Sequence, residues 1–312
     1  MRIVNRWQGL EPVDRGAAAA IGNFDGVHLG HRTVIDTARA EAARLGAPLG
    51  VVTFEPHPRA FFAPDAPPFR LMNAEARANR LARIGVERLY ELPFDGALAG
   101  LTAEEFARDV IAGGLGLVHV VVGRDFRFGK GRAGAADDLV ALGARHGFGV
   151  TLAAEVAQDG TRVSSTAIRT ALSEGRPRDA AAMLGHWHRI EGPVVHGAKR
   201  GRGLGFPTAN MDVSGLHLPR LGVYAVKVDV LTGPHAGGYD GAASLGVRPT
   251  FDEHVPNLET CLFDFDGDLY GAHLSVALVE FLRPEARFDG LPALVAQMHD
   301  DCARARDVLA RA

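Results

Sequence analysis

Residues 17–31 read AAAAIGNFDGVHLGH. An apolar run stops at Ile21, and Gly22, Gly26 and Gly30 follow, with His28 and His31 between and after them. An apolar run without alternation suits a strand covered on both faces, as in parallel sheets. The next stretch, HRTVIDTARAEAARLG, reads as a helix with Gly46 as its stop. In sheets of this kind ligands gather at the carboxyl ends of strands. A helix N-terminus there offers free backbone N–H groups and a partial positive charge. Gly22 and Gly26 let the backbone approach a ligand with no Cβ in the way. With the helix starting near His28, His28 and His31 stand three residues apart on one face of its first turn. Together these features make a pocket for a polyphosphate, with two imidazoles able to stabilise charge on phosphoryl oxygens. Zinc is disfavoured, because no third ligand comes at a matching spacing. Two incidental surface histidines are the plain alternative.

The same pattern extends to about residue 180. PLGVVTF, VERLYELP, VHVVVG and GVTLAAEV read as strands. RANRLARIG, AEEFARDVIAGGLG with Thr102 as its N-cap, and ADDLVALGARHG read as helices. STAIRTALSEG, capped near Ser165, and RPRDAAAMLG are two more. From about 186 the pattern changes to HWHRIEGPVVHG, LGVYAVKVDVL, GYDGAASLGV, LETCLFDFDG and HLSVALVEFLR, strand-like with Gly, Pro and Asp turns, before a closing helix. The expected fold is therefore α/β: a Rossmann-like domain over 1–183, with a parallel sheet and helices on both faces. A mainly antiparallel β-barrel or sandwich with a C-terminal helix follows over 184–312.

Composition narrows the function classes. The 312 residues are 47% hydrophobic and 23% charged, ordinary for a globular protein. Lys and Arg total 34 against 37 Asp and Glu, which argues against a protein built to coat nucleic acid or a membrane surface. Cys261 and Cys302 form no CxxC pair, so they read as thiols of a reducing compartment. With no apolar signal core and no run of about 18 apolar residues, no membrane span is expected and the cytoplasm is the expected location.

Four further stretches carry chemistry. In VSSTAIR, Ser164, Ser165 and Thr166 offer hydroxyls to a phosphate and Arg169 a charged fork, although Ser and Thr also serve as ordinary helix caps. In TFEPHPRAFF two prolines lock a loop after a strand. There Phe54, Phe61 and Phe62 could stack on a flat heterocycle and His57 or Arg59 meet a phosphate; core aromatics on a rigid turn are the alternative. GRDFRFGKGRAG is a basic, glycine-rich loop after a strand. GAKRGRGLGFPTANM is another, neither a Walker loop nor a GxGxxG fingerprint. In it Thr208 and Asn210 place a hydroxyl and an amide oxygen on one side of an extended chain, hard donors that suit Mg²⁺ bound to ATP.

GNFDGVHLGH resembles the HxGH signature of the nucleotidylyltransferase superfamily, in the form found in bacterial FAD synthetases. SSTAIR and GRDFRFG look like segments of the same family. GxxLGFPTAN, GVYA, SLGVRPTF and NLETCLFDFDGDLYG resemble, in order, the motifs of riboflavin kinase. The resemblance covers nearly the whole chain. It implies phosphorylation of riboflavin by ATP to FMN, then transfer of AMP from ATP to FMN, giving FAD and pyrophosphate. ATP, riboflavin and FMN are the implied partners, with Mg²⁺ accompanying ATP and flavins as substrate and product. Homo-oligomerisation is compatible with the sequence.

For the adenylyltransferase the resemblance implies ATP contacts from Gly22, Asn23, Phe24, His28, His31, Ser164, Thr166 and Arg169. It implies flavin contacts from Asp125, Phe126 and Phe128, to which the TFEPHPRAFF stretch adds Phe54, His57 and Phe62 as expected flavin contacts. For the kinase it implies ATP and Mg²⁺ contacts from Gly203, Gly205, Pro207, Thr208 and Asn210, with Glu259 as base and Cys261 where the family commonly has His. Two other classes compete. A class I aminoacyl-tRNA synthetase-like enzyme would share the histidine signature, but no KMSKS-type segment or basic anticodon-binding domain is evident. A non-catalytic flavin-binding regulator would have lost catalytic positions, yet they are present.

Overall fold

The computed structural model describes residues 1–154, 157–158, 161–196, 205–249 and 254–312. By contact the chain forms two units: Met1–Pro67 with Arg77–Val163, and Pro68–Ala76 with Ser164–Ala312.

The first unit is built on six strands: β1 (Arg2–Val4), β2 (Ala18–Ile21), β3 (Leu49–Glu55), β4 (Arg88–Pro93), β5 (His119–Gly123) and β6 (Gly149–Ala153). They pair in the order β1-β4-β3-β2-β5-β6, every pair parallel. Ala18, Ala19 and Ala20 are fully buried because β2 lies mid-sheet with both faces covered. The chain leaves β2 on one side for β3 and later returns to its other side as β5, so the strand order reverses there. The carboxyl end of β2 is thus a topological switch point, where open α/β sheets bind ligands.

Helix α1 (Leu29–Leu45) leads from β2 to β3, burying Ile35, Ala38 and Ala42 and ending at Gly46 in the left-handed conformation. It starts beside His28, its N-cap, as expected for a helix beginning near that residue. The expected helix after Thr102 also differs. Thr102 caps it with a reciprocal Glu105 contact, but Phe106–Gly114 winds as a π-helix, with the Leu115 N–H donating to Val110 O at 2.8 Å.

The second unit holds helices α5 (Ser165–Ser173) and α6 (Pro177–Leu184); α2 to α4 of the first unit are Pro58–Phe62, Ala74–Arg83 and Ala136–His146, α3 beginning at the join with residues 68–76. Its sheet comprises β7 (His188–Pro193), β8 (Ala209–Asp212), β9 (Gly222–Val230), β10 (Gly237–Pro249), β11 (His254–Leu262) and β12 (His273–Pro284). The order is β7-β12-β9-β10-β11-β8, all antiparallel. A bridge between Val195 and Asn210 brings the two edges together, so the sheet nearly closes into a barrel. Alternate residues such as Val226, Val228, Leu258 and Leu262 fill its interior. On the outside, Ala305 and Leu309 of helix α7 (Leu291–Leu309) pack with Ala225, Ala242 and Val279. The α/β unit with a parallel sheet and the antiparallel barrel with a C-terminal helix follow the expected fold class.

Two stability consequences follow from this packing. Gly222 adopts φ +148° and a Cβ there would lie 2.2 Å from Arg283 O, a backbone atom of the partner strand. Gly222→Ala should lower the unfolding free energy by about 3 kcal/mol, read by denaturant titration; an unchanged midpoint would contradict the register. His188 is buried, and desolvation, with smaller effects of His186 and His217, pushes its pKa down to about 3. Between about pH 6.5 and about 3 the unfolded chain takes up a proton that the folded chain refuses. Stability from this group is therefore complete above about pH 6.5 and declines on acidification, by at most about 1.4 kcal/mol per pH unit. His188→Phe should flatten that part of the acid-unfolding curve.

Candidate active sites

In the first unit the chain turns sharply after β2. Gly22 N–H donates to Val52 O at 3.1 Å and Thr53 Oγ1 donates to Asn23 O at 3.2 Å, tying the exit to β3. The turn then needs positive φ at Phe24 (50°), Gly26 (93°) and Val27 (44°). For a β-branched valine this is a costly conformation, the kind of strain that gathers at functional sites. Phe24 is buried beneath the turn, its ring 5.2 Å from that of His31, while Asn23 is exposed.

His28 is the N-cap of α1. Its Nδ1 accepts a hydrogen bond from the His31 N–H at 3.2 Å, so its other nitrogen, Nε2, is left to carry the proton. The two rings stack with centroids 3.6 Å apart and 15° between planes. A Cβ at Gly30 would come within 3.1 Å of His28 Cε1, so the glycine between the histidines leaves room for that ring. Burial first, and the neighbouring His28 second, hold the His31 pKa well below its ordinary value. The His31 imidazole is therefore neutral at neutral pH, and the stacked pair stands over the first turn of α1. His31 Nδ1 is enclosed and has no hydrogen-bond partner among the described residues.

TFEPHPRAFF is not a plain loop. The Glu55–Pro56 bond is cis, and Pro58–Phe62 forms the short helix α2 with His57 as N-cap, its Nδ1 accepting from Arg59 N–H at 3.0 Å. Phe54, Phe61 and Phe62 gather edge-on around Phe94, at 5.8, 5.4 and 5.8 Å. Phe62 is 68% exposed, so one aromatic face is open to stack on a flat ligand. Sequence reading missed Phe94, which follows β4 and has no motif around it. Asp125 is exposed, Phe126 is half-buried and stacks on Phe128 at 5.5 Å, and Phe128 is buried against Phe106. A buried ion pair underlies this region. Arg77, fully buried on α3, donates from Nη2 to Glu55 and to Glu91.

In the second unit, Ser164 is the N-cap of α5, its Oγ accepting from Ala167 N–H at 3.2 Å, one residue earlier than the sequence reading placed the cap. Thr166 is exposed. Arg169 Nε donates to Phe69 O at 2.6 Å and its guanidinium lies 5.5 Å from the Phe69 ring centroid.

The barrel site rests on strand register. β8 pairs with β11 so that Asn210 stands opposite Glu259. Asn257, two residues before Glu259, is on the same face. Its Nδ2 donates to Asn210 Oδ1 and to Glu259 Oε1, both at 3.3 Å. Asn257 was missed by sequence reading, although the period-two run Asn257, Glu259, Cys261 was there to be read. Asn210 Nδ2 donates to Thr208 O at 3.2 Å. Pro207, Thr208 and Asn210 line a cavity of about 290 Å³ together with Asp266 and Asp268. Gly205, with φ +84°, lines a second cavity that Pro207 also lines. Gly203, Lys199 and Thr250 to Phe251 of the motifs lie outside the described residues. The donors in the first of these cavities are hydroxyl, amide and carboxylate oxygens. No group of three or more His, Cys, Asp or Glu among the described residues could hold a metal alone. The set suits a hard cation that shares its shell with phosphate oxygens and water.

Residues 10–167 match the family model described as FAD synthetase, and residues 184–309 the one described as riboflavin kinase. A Pseudomonas fluorescens protein named bifunctional riboflavin kinase/FMN adenylyltransferase is 42% identical, over 99% of this chain and 98% of its own. An Escherichia coli K12 protein of the same name is 40% identical, over 94% of this chain and 92% of its own. Among solved structures, a Streptococcus pneumoniae chain named a macrolide-efflux protein superposes with a TM-score of 0.80 at 32% identity, covering 94% of this chain and 93% of its own. Among the described residues no helix is long and apolar enough to cross a membrane. With matches that run nearly end to end, the chain belongs to the bifunctional riboflavin kinase/FMN adenylyltransferase family.

Proposed function

We propose that this protein makes FAD in two steps, divided between residues 1–183 and 184–312. The observation that carries the reading is that one chain matches two families whose reactions follow one another. In the first step the terminal ribityl hydroxyl of riboflavin attacks the γ-phosphorus of ATP. Glu259 takes the hydroxyl proton, and FMN and ADP leave. Asn257, which donates to the Glu259 carboxylate, orients it. Thr208 and Asn210 would hold Mg²⁺ with ATP, whose contribution is to neutralise phosphate charge; Gly205, Pro207 and Gly203 belong to the same binding loop. In the second step a phosphate oxygen of FMN attacks the α-phosphorus of another ATP and pyrophosphate leaves. His28 and His31 hold the phosphates with neutral N–H donors, aided by the N-terminus of α1. Ser164, Thr166 and Arg169 contribute hydroxyls and a guanidinium to the nucleotide. Gly22, Asn23 and Phe24 shape its seat. Phe54, His57 and Phe62, with Asp125, Phe126 and Phe128, contact the flavin. Both steps depend chiefly on alignment and charge stabilisation, so no covalent intermediate is required. The non-catalytic regulator gains no support, because the positions it should have lost are retained.

His28→Ala with His31→Ala should cut FMN adenylylation by about 100-fold or more while riboflavin phosphorylation persists, followed by chromatography of FMN and FAD. Equal loss of both activities would refute the division of labour. Glu259→Ala should stop FMN formation from riboflavin, yet supplied FMN should still be converted to FAD; a variant that still phosphorylates riboflavin at the parent rate removes Glu259 as the base.

A further inference from the structure

Cys261 and Cys302 are the two cysteines of the chain, both free and half-buried. Cys261 lies on β11 and Cys302 on α7, and both line one cavity of about 610 Å³ with His299 and Arg306. The fold brings them together in two ways. Ala242 of β10 stands opposite Cys261, and the same Ala242 packs with Ala305 of α7. Ala305 follows Cys302 by three positions, so the two share a face of that helix. Cys302 itself packs against that cluster, so the two thiols border one cavity as neighbours.

Their interaction makes the two thiols unequal. Together with the nearby Arg306 guanidinium, it holds the Cys261 pKa below its ordinary value despite burial. The same interaction, with burial, raises that of Cys302. Arg306 is fixed in place, 4.3 Å from the Phe263 ring centroid and bonded to Asp264 at 2.8 Å. One thiol is the easier to ionise and its neighbour the harder, the asymmetry of an attacking and a resolving thiol. Cys261 also follows Glu259 by two positions and so shares its face of β11. Neither thiol has a role in the two proposed steps.

We propose that Cys261 and Cys302 are an oxidative modification site: a peroxide closes them to a disulfide that ties β11 to α7 beside Glu259 and slows riboflavin phosphorylation. The effect on phosphorylation rests on the function proposed above; the thiol chemistry does not. The Cys261 thiolate attacks one oxygen of hydrogen peroxide, the O–O bond breaks, and hydroxide leaves to become water on protonation. The Cys302 sulfur then attacks the resulting sulfenic sulfur. An S–S bond forms, the S–O bond breaks, and a second water leaves with the Cys302 proton. Two electrons pass from the sulfur pair to the peroxide.

The test treats the reduced full-length protein with stoichiometric hydrogen peroxide. Free thiols are counted, peptides are mapped by mass spectrometry, and both activities are assayed before and after dithiothreitol. The expected result is loss of both thiols, a peptide pair joined through Cys261 and Cys302, and a several-fold fall in FMN formation that dithiothreitol reverses. Adenylylation of supplied FMN should not change. Cys302→Ser should form FMN at the parent rate, give no joined peptide and lose the reversible response. Thiols that stay reduced, oxidation that stops at sulfinic acid without a joined peptide, or a disulfide that leaves FMN formation untouched would each overturn the proposal. Reduced protein that makes no FMN at all would refute the proposed function instead, with the thiol count still judging the disulfide.

Discussion

The first unit turns on one hydrogen bond, from the His31 amide to His28 Nδ1. It satisfies a backbone donor that the first turn of α1 would otherwise leave open. It assigns the proton of His28 to Nε2. It also draws the second ring into a stack with the first, where burial and the neighbouring ring keep His31 from charging. Gly30 is small so that the His28 ring fits, and the positive φ values of Phe24 and Val27 bring the chain round to the helix in time. Helix cap, proton position and ring geometry are one arrangement.

The barrel achieves a similar economy through strand register. Asn210 and Glu259 are far apart in the chain and meet because β8 and β11 pair antiparallel with those two residues opposed. A slip of one residue would turn Glu259 toward the interior filled by Leu258 and Leu262. The apolar alternation of β11 therefore holds the carboxylate outward, and Asn257 fixes its direction.

Much of this was legible in the sequence because periodicity reports burial. The apolar β2, β3 and β5 announced a parallel sheet, and Gly46 and Thr102 marked helix ends through their local preferences. Features that depend on partners distant in sequence stayed hidden. Arg77 looks like one of many helix arginines until Glu55 and Glu91 enclose it. Phe94 is one phenylalanine among sixteen until three others close around it. Local conformation misled where two rules competed. The prolines of EPHP argued for a loop, but Pro58 sits at the first position of α2, where its missing N–H costs nothing. The π-helix at Phe106–Gly114 keeps an amphipathic pattern close to that of an α-helix, so composition could not distinguish them.

Among the described residues the barrel closes through a bridge, with Val195 N–H donating to Asn210 O at 2.8 Å, where every other neighbouring pair of strands is joined by a ladder. A ladder opens cooperatively and a short pairing opens more readily, which makes the seam the place where this cylinder breathes most easily. Asn210 belongs to that seam by its carbonyl and to the polar trio by its side chain. Brief opening there would loosen the Asn210 amide from Asn257 while the remaining ladders stay intact, so the seam and the site would move together.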